Sequence, residues 1–191
     1  MLRLSRFSKL AAAAAILLAG LAWAGEVPRP APPLTVKTLR GEPLSLESLR
    51  GKVVLLEFFL TTCPHCQRTA GTIEPIWREY RSRGLEVLAV AINPDAAQLI
   101  PDFRARFGST YPMALGSSDQ VKAFAGISPV KTFFVPYIFL IDRKGVIRYE
   151  HPGEDAAFYQ NENTNMRAEV DALVKEGAPA RKSTAKAAKK G

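Results

Sequence analysis

Residues 52–66 read KVVLLEFFLTTCPHC and join a continuous apolar run to the only two cysteines of the chain, Cys63 and Cys66. An apolar run interrupted by one acid, Glu57, is typical of a strand that is covered on both faces of a sheet. Two thiols three positions apart can form a redox couple, supply half of a metal site, or simply pack. The surrounding sequence is needed to distinguish these three roles.

The first 24 residues have the layout of a secretory signal peptide. A basic start precedes an apolar run of about a dozen residues and a small-residue end, Ala22-Trp23-Ala24. The run is short for a membrane span, which needs roughly 20 residues, although a signal that stays uncleaved would be a membrane anchor. We therefore expect a mature chain in the periplasm or another extracytoplasmic compartment, where a disulfide can persist.

The charge of the chain does not favour nucleic-acid binding. Lys and Arg number 26 and Asp and Glu 18, which gives a formal net charge of +8. Eight of the basic residues lie in the signal segment and in the tail, residues 177–191, so the rest of the chain is neutral and offers no basic patch. The tail is rich in Ala and Lys and is predicted to be disordered. Weak attraction to anionic lipid or cell wall is the alternative.

The rest of the chain divides into a linker and one domain. Residues 25–33 are dense in proline and are predicted to be an extended linker. Residues 34–176 are long enough to form a single domain with a proper core, and they show no internal repeat.

Apolar runs and amphipathic segments alternate along this domain. A kink is expected at Pro75, and the last helix is expected to be capped by Thr164 or Asn165. Strands separated by helical crossovers predict an α/β fold with three layers, a central mixed β-sheet with helices on both faces. The predicted strands are LTVKT (34–38), PLSL (43–46), KVVLLEFFL (52–60), LEVLAVAIN (85–93), YPMAL (111–115), PYIFLID (136–142) and VIRYE (146–150), and the predicted helices fall within 67–84, 94–108, 117–126 and 164–177.

Residues 34–150 resemble the TlpA/ResA-like extracytoplasmic thiol-disulfide oxidoreductases of the thioredoxin-fold superfamily. The resemblance depends on LRGEPLSLESLRGKVVLLEFF (39–59) leading into the CxxC motif, on an extra helix after the second buried strand, and on VPYIFLIDRKGVI (135–147). It implies a thioredoxin-like fold and disulfide exchange with protein substrates through a redox-active Cys63-Cys66 disulfide, with no other cofactor. A membrane or periplasmic redox partner is implied as well.

The residues between and around the cysteines have expected roles. Cys63 falls at the start of a helix, where free backbone N–H groups and the helix dipole favour a thiolate, so it is the predicted nucleophile. Cys66, one turn further on, would attack the mixed disulfide. Pro64 and His65 complete the catalytic motif, and His65 either stabilises the thiolate or is an exposed residue without a role. The motif Cys-Pro-His-Cys is similar to that of DsbA-type oxidases, so the direction of electron flow stays open.

Glu57 lies inside the apolar strand, six residues before Cys63. An isolated carboxylate is costly to bury, so the acid requires an explanation. In the family that the chain resembles, a buried acid at this place lies beneath the second cysteine. Glu57 is therefore expected to relay a proton to or from Cys66. The alternative is that the strand end is partly open and that Glu57 reaches water.

Val135 and Pro136 open the strand that begins the last hairpin. The resemblance implies a cis Val135-Pro136 bond beside the cysteines, which leaves the Val135 backbone free to pair with an extended substrate. Pro129 is a rival candidate, but six residues separate it from the strand.

Two other functions stay open at this point. A thioredoxin-fold peroxidase shares the early LRGEPLSLESLRGK pattern, but it usually has a Pro and a Thr where this chain has Leu60 and Leu56. A Sco-type copper chaperone would use both cysteines and one histidine, such as His151, as soft ligands. That family has three residues between its cysteines, so we expect no metal.

Overall fold

The structure is a computed structural model that describes residues 26–176. The predicted signal peptide and the predicted tail therefore lie outside the described residues. In the described part, eight strands belong to one sheet: β1 (Arg29–Pro30), β2 (Thr35–Thr38), β3 (Pro43–Ser45), β4 (Val53–Phe59), β5 (Leu85–Ala91), β6 (Met113–Leu115), β7 (Tyr137–Ile141) and β8 (Val146–His151). No helix of the described residues is long and apolar enough to cross a membrane.

The strands follow the spatial order β1-β8-β7-β4-β5-β6-β2-β3. Strand β4 is at the centre, parallel to β5 and antiparallel to β7, and β5 is parallel to β6. Every residue of β4 and of β7 is buried, which explains why these strands read as continuous apolar runs. The mixed sheet and the final hairpin of β7 and β8 confirm the predicted arrangement.

Within residues 26–176, five α-helices pack against the sheet: α1 (Pro64–Tyr80), α2 (Ala96–Phe107), α3 (Ser118–Ala125), α4 (Ala156–Tyr159) and α5 (Glu162–Lys175). Buried side chains of α1, α2 and α5 pack with Val53, Leu55 and Phe59 of β4 on one face. Val54, Leu56 and Phe58 pack with α3 on the other face. The three-layer prediction is therefore confirmed, and both cysteines lie on the side of α1.

Two boundaries differ from the prediction. Arg29 and Pro30, assigned to the linker, form the edge strand β1, because buried Arg29 donates to Glu150 across 2.7 Å and so joins the sheet. Helix α5 begins at Glu162 rather than after Thr164 or Asn165, because the Glu162 carboxylate accepts hydrogen bonds from Thr69 and Thr72 of α1.

Helix α1 begins at Pro64, directly after Cys63 as predicted, and runs through Pro75 to Tyr80. An interior proline costs about 3 kcal/mol because one helix hydrogen bond is lost. Ile73 and Ile76, on either side of it, are completely buried against the sheet. Burying two such side chains contributes about 1.5–3 kcal/mol each, enough to offset that cost.

Candidate active site at the start of helix α1

Cys63 is the N-cap residue of α1, with an extended backbone (φ −76°, ψ 120°), and Pro64 occupies the first turn. Proline fits this position because its missing N–H would have no partner there anyway. The preceding turn is held by Asn93, which accepts from the Thr61 N–H at 3.1 Å and donates to the Thr61 hydroxyl at 2.9 Å. The Cys63 sulfur is thus presented at the positive end of the helix by a fixed turn.

The two cysteines differ in exposure, as predicted. Cys63 is partly exposed, whereas Cys66 is completely buried, and both are free thiols in this structure. Burial raises the pKa of the Cys66 thiol far above its ordinary value, with further contributions from Glu57 and Cys63. Cys66 is therefore a protonated thiol at neutral pH, and Cys63 is the sulfur that a substrate can reach.

Glu57 is a buried acid on the cysteine side of the sheet. Its side chain is 1% exposed, so the alternative that it reaches water is wrong. Its Oε1 atom has no hydrogen-bond partner among the described residues. Burial raises the pKa of Glu57 well above its ordinary value, and Glu162 and Cys63 raise it further. Because Glu57 also raises the Cys66 pKa, the two groups are close enough for their protonation states to be coupled.

His65 is half-buried and packs edge-on against the ring of Tyr159, with ring centroids 4.4 Å apart. Burial lowers the pKa of His65 below its ordinary value, Arg68 adds to the effect, and Glu162 opposes it. The ring is thus mostly neutral at neutral pH. A hydrogen bond from His65 is then the means left to stabilise a thiolate, since the ring carries little positive charge.

The Val135-Pro136 bond is cis, as predicted. The Val135 carbonyl oxygen lies 3.9 Å from the Cys63 sulfur, a contact at the long end for sulfur, and Pro136 is buried. The structure therefore brings together Cys63, Cys66 and Val135 at one end of α1. Pro129, the rival proline, lies instead in the loop that follows α3.

Two neighbours of this site were missed by sequence reasoning. The hydroxyl of Tyr159, on the short helix α4, donates to the Pro136 carbonyl at 2.8 Å. Glu162 raises the pKa of Glu57 and opposes the fall at His65. No motif marks either residue, and only an Asp N-cap before the apolar AAFY segment (156–159) could have indicated the helix that carries Tyr159.

Two large apolar side chains are exposed in the loop before Val135. Phe134 is 57% exposed and Val130 is 94% exposed, and both precede the cis bond in the same loop. Exposed large apolar side chains beside a reactive group are typical of a surface that binds another molecule. In residues 26–176 no cluster of three or more His, Cys, Asp or Glu side chains is placed to hold a metal ion.

Comparison with known proteins agrees with this geometry. The chain is similar to thiol-disulfide oxidoreductase ResA of Geobacillus thermodenitrificans (32% identity over 118 residues, 62% of this chain and 64% of the relative) and of Halalkalibacterium halodurans (33% over 118 residues, again 62% and 64%). The match thus spans just under two thirds of the length of these relatives.

Solved structures show the same fold. A thiol:disulfide interchange protein of the thioredoxin family from Chlorobium tepidum superposes with a TM-score of 0.63 at 24% identity, covering 79% of this chain and 99% of that one. A thiol:disulfide interchange protein from a Bacteroides species gives 0.64 at 20% identity, covering 85% and 97%. The fold is therefore thioredoxin-like.

Residues 27–150 match the AhpC/TSA family, and the chain belongs to that family.

Proposed function

We propose that the protein is an extracytoplasmic thiol-disulfide oxidoreductase that exchanges disulfides with protein substrates. One observation carries the proposal: an accessible cysteine caps α1 beside the Val135 carbonyl, while its partner cysteine is buried one turn further on. The relatives that are themselves named thiol-disulfide oxidoreductase support it.

In the first step, the Cys63 thiolate attacks one sulfur of a substrate disulfide. A bond forms between Cys63 and that sulfur, the substrate S–S bond breaks, and the second substrate sulfur leaves as a thiolate. The Val135 backbone and the apolar side chains before it hold an extended substrate segment beside Cys63. The mixed disulfide that results keeps the substrate attached to the protein.

In the second step, Cys66 resolves the mixed disulfide. The Cys66 thiol gives its proton to the Glu57 carboxylate, and its sulfur then attacks Cys63, which releases the other substrate sulfur as a thiolate. The protein dithiol is oxidised to the Cys63-Cys66 disulfide, and the substrate disulfide is reduced by two electrons. The reverse sequence oxidises a substrate dithiol, and Glu57 then returns the proton to Cys66.

The sequence of the first 24 residues, together with this chemistry, supports an extracytoplasmic compartment. A signal peptide would deliver the chain to the periplasm or an equivalent space, where substrate thiols and disulfides interconvert. A membrane or periplasmic redox partner resets the Cys63-Cys66 couple after each turnover. Attachment to the membrane belongs to the proposal only for a chain that keeps the signal segment.

The two other functions have less support. Both ring nitrogens of His151 contact carboxylates, Asp155 and Glu169, so this histidine is not free to bind copper with the cysteines. Peroxide reduction would have to proceed with Leu60 and Leu56 at the positions where thioredoxin-fold peroxidases usually carry a Pro and a Thr. Leu56 is completely buried among apolar side chains and offers a peroxide no polar group.

Trapping the mixed disulfide tests the proposal. Reduced Cys66→Ser protein, mixed with a peptide that contains one disulfide, should form a covalent adduct through Cys63 that mass spectrometry detects. Cys63→Ser protein, the matched control, should form none. Absence of an adduct with Cys66→Ser, or rapid consumption of hydrogen peroxide by the wild type without any exchange with the peptide, would contradict the proposal. The reduction potential of the couple then gives the direction: a value well below the glutathione range identifies a reductant, and one well above it an oxidant.

A further inference from the structure

His151 is a buried histidine between two carboxylates, beside the active site but outside the cysteine motif. It ends β8 and lies opposite Ile138, which in turn lies opposite Glu57, so the three residues share one rung and one face of the sheet. Its Nδ1 is 2.8 Å from Asp155 Oδ2, and its Nε2 is 3.0 Å from Glu169 Oε2. Neutral imidazole has one N–H donor, and only the imidazolium can donate to two acceptors at once.

The residues that face His151 come from every element packed around it. Asp155 precedes α4, Glu169 belongs to α5, and Phe158 of α4 stacks on the imidazole ring with centroids 3.7 Å apart. The hydroxyl of Tyr159 lies 3.2 Å from the His151 carbonyl, and Glu57 is two strands away on the same rung. Apart from this hydroxyl, the titratable groups in this set are acids, and two of them, Glu169 and Asp155, favour the protonated ring.

Helix α4 is held by these contacts together with buried Phe158 and with the Asn165 side chain, which donates to the Ala157 and Phe158 carbonyls. It has only four residues, too few to be stable without tertiary contacts. Asp155 joins the helix to His151, because one carboxylate oxygen accepts from the Phe158 N–H at 3.1 Å and the other contacts the imidazole. Protonated His151 therefore helps to hold α4 against the end of β8 through Asp155.

Tyr159 connects α4 to the active site. Its hydroxyl donates to the Pro136 carbonyl, directly after the Val135 carbonyl that faces Cys63, and its ring packs on His65 between the two cysteines. A shift of α4 would withdraw both contacts together. We propose that His151, as the imidazolium, positions Tyr159 against Pro136 and His65, so that the substrate-binding face beside Cys63 is complete only while His151 keeps its proton.

The electrostatics of the site agree with this geometry. Burial by itself lowers the pKa of His151, but the hydrogen bonds and charges of Glu169 and Asp155 outweigh it, so the pKa lies above its ordinary value. His65 shifts the other way. As pH rises, His151 therefore keeps its proton longer than His65 does, and when it loses that proton one of its two carboxylates lies half-buried without its donor. Loss of this proton should lower the rate of exchange with protein substrates more than the rate with small disulfides, because a small disulfide needs only the Cys63 sulfur.

The inference rests on the proposed exchange at Cys63, and the experiment separates the two. The full chain is reacted with a disulfide-containing peptide and with a small aromatic disulfide. The assay runs from about pH 6 to about pH 9, a range that begins near the ordinary histidine pKa of about 6.5 and extends above it. The measured quantity is the ratio of the peptide rate to the small-disulfide rate, which corrects for changes in Cys63 reactivity. Failure of the proposed function would appear as no reaction with either compound.

Three results are expected. The wild-type ratio falls as pH rises through the titration of His151, which NMR follows easily because the chain has only two histidines. Tyr159→Phe lowers the ratio roughly fivefold at acidic pH, the change expected when one ordinary hydrogen bond is lost. His151→Gln, which cannot titrate, gives a ratio that does not change with pH and stays at the alkaline wild-type level.

Other results would overturn the inference. A His151→Gln ratio that still falls with pH would assign the dependence to another group, such as Glu57. A wild-type ratio that does not change while His151 titrates, or a Tyr159→Phe ratio equal to that of the wild type, would show that α4 does not shape the binding face. If His151→Gln does not fold, the NMR titration of the wild type still decides, because a neutral His151 at pH 7 contradicts the imidazolium on which the inference depends.

Discussion

The division of labour between the two cysteines comes from a difference in exposure over one helical turn. Cys63 is partly exposed at the helix start, and Cys66 is buried with a raised pKa. We expect iodoacetamide at mildly acidic pH to label Cys63 in the reduced native protein, and to label Cys66 only after unfolding. Peptide mapping by mass spectrometry gives the order. Preferential labelling of Cys66 would reverse the assignment of nucleophile and resolving thiol.

Glu57 should affect the rate of exchange through its proton. As a buried carboxyl coupled to Cys66, it can accept the proton that Cys66 must lose before attack. Glu57→Gln keeps the shape of the side chain and removes the titration, so we expect slower turnover and a changed pH profile with an intact fold. Turnover of a disulfide peptide across pH, with circular dichroism as the control, measures both. An unchanged pH profile would show that Glu57 takes no part in proton transfer to or from Cys66.

Sequence reasoning located the residues whose signal is local. Cys63 and Glu57 belong to one strand and the turn after it, so the apolar run and the CxxC spacing were enough to place them. Tyr159 reaches the site from the other end of the domain, and its hydroxyl contacts a backbone carbonyl 23 residues away, which leaves no pattern in the side chains. Such contacts depend on how α4 packs, and the packing of a four-residue helix cannot be predicted from the hydrophobic periodicity of the sequence.

At the scale of elements, the approach of β8 to the loop before β7 depends on the absence of a side chain at Gly153. A Cβ there would lie 2.8 Å from the Phe134 carbonyl carbon and 2.9 Å from the Val135 nitrogen, closer than backbone atoms tolerate. We expect Gly153→Ala to displace the Val135 carbonyl from Cys63 and to slow exchange with a peptide more than with a small disulfide. Rate measurements with both compounds check this.

Gly71→Ala is the matched control for that substitution. Gly71 lies in α1 on the same side of the sheet, and a Cβ there would meet no neighbour within 4 Å. Alanine in an exposed helix interior stabilises by about 0.5–1 kcal/mol relative to glycine. Exchange rates of Gly71→Ala should stay at wild-type values with a slightly raised melting temperature. Equal peptide rates in Gly153→Ala and Gly71→Ala would show that the contact at Gly153 does not position Val135.

The elements themselves were predicted well where burial sets the pattern. Strands β4, β5 and β7 are buried along almost their whole length, and their runs of Val, Ile, Leu and Phe indicate buried strands. The start of α5 was misjudged because Glu162 is held by Thr69, whose hydroxyl donates across 2.6 Å. Likewise Arg29 joins the sheet through a contact with Glu150, 121 residues further along the chain. Contacts of this range are tertiary and override local preference.

At the scale of the whole molecule, two buried glutamates on the same face of the sheet affect folding stability in opposite ways. Burial raises the pKa of Glu57, and its Oε1 has no partner among the described residues. Burial would also raise the pKa of Glu74, but hydrogen bonds from Thr110 and Arg78 outweigh it, so that pKa is lowered. Glu57 therefore destabilises the folded protein at a pH where its carboxyl is ionised in the unfolded chain. Glu74, whose ionised carboxylate is hydrogen-bonded in the folded protein, stabilises it at the same pH.

The signs follow from proton linkage. The folded state holds the Glu57 proton to a higher pH than the unfolded chain does, so stability falls as pH rises above the unfolded value of about 4.3 and up to the raised folded pKa. For Glu74 the stabilisation is present above that unfolded value and is lost as pH falls through the lowered folded pKa.

Urea unfolding tests both signs. Glu57→Gln should gain stability relative to the wild type between pH 4 and pH 7, a range of roughly three units above the unfolded value. Glu74→Gln should lose about 1–3 kcal/mol of stability at neutral pH and less in acid. Because both variants replace a carboxyl by an amide of the same shape, a common effect of the substitution would move both in the same direction. A stability difference between Glu57→Gln and the wild type that does not change with pH would show that Glu57 titrates normally in the folded protein, and one that runs parallel to that of Glu74→Gln would show that its pKa is lowered. Either result would contradict the raised pKa of Glu57.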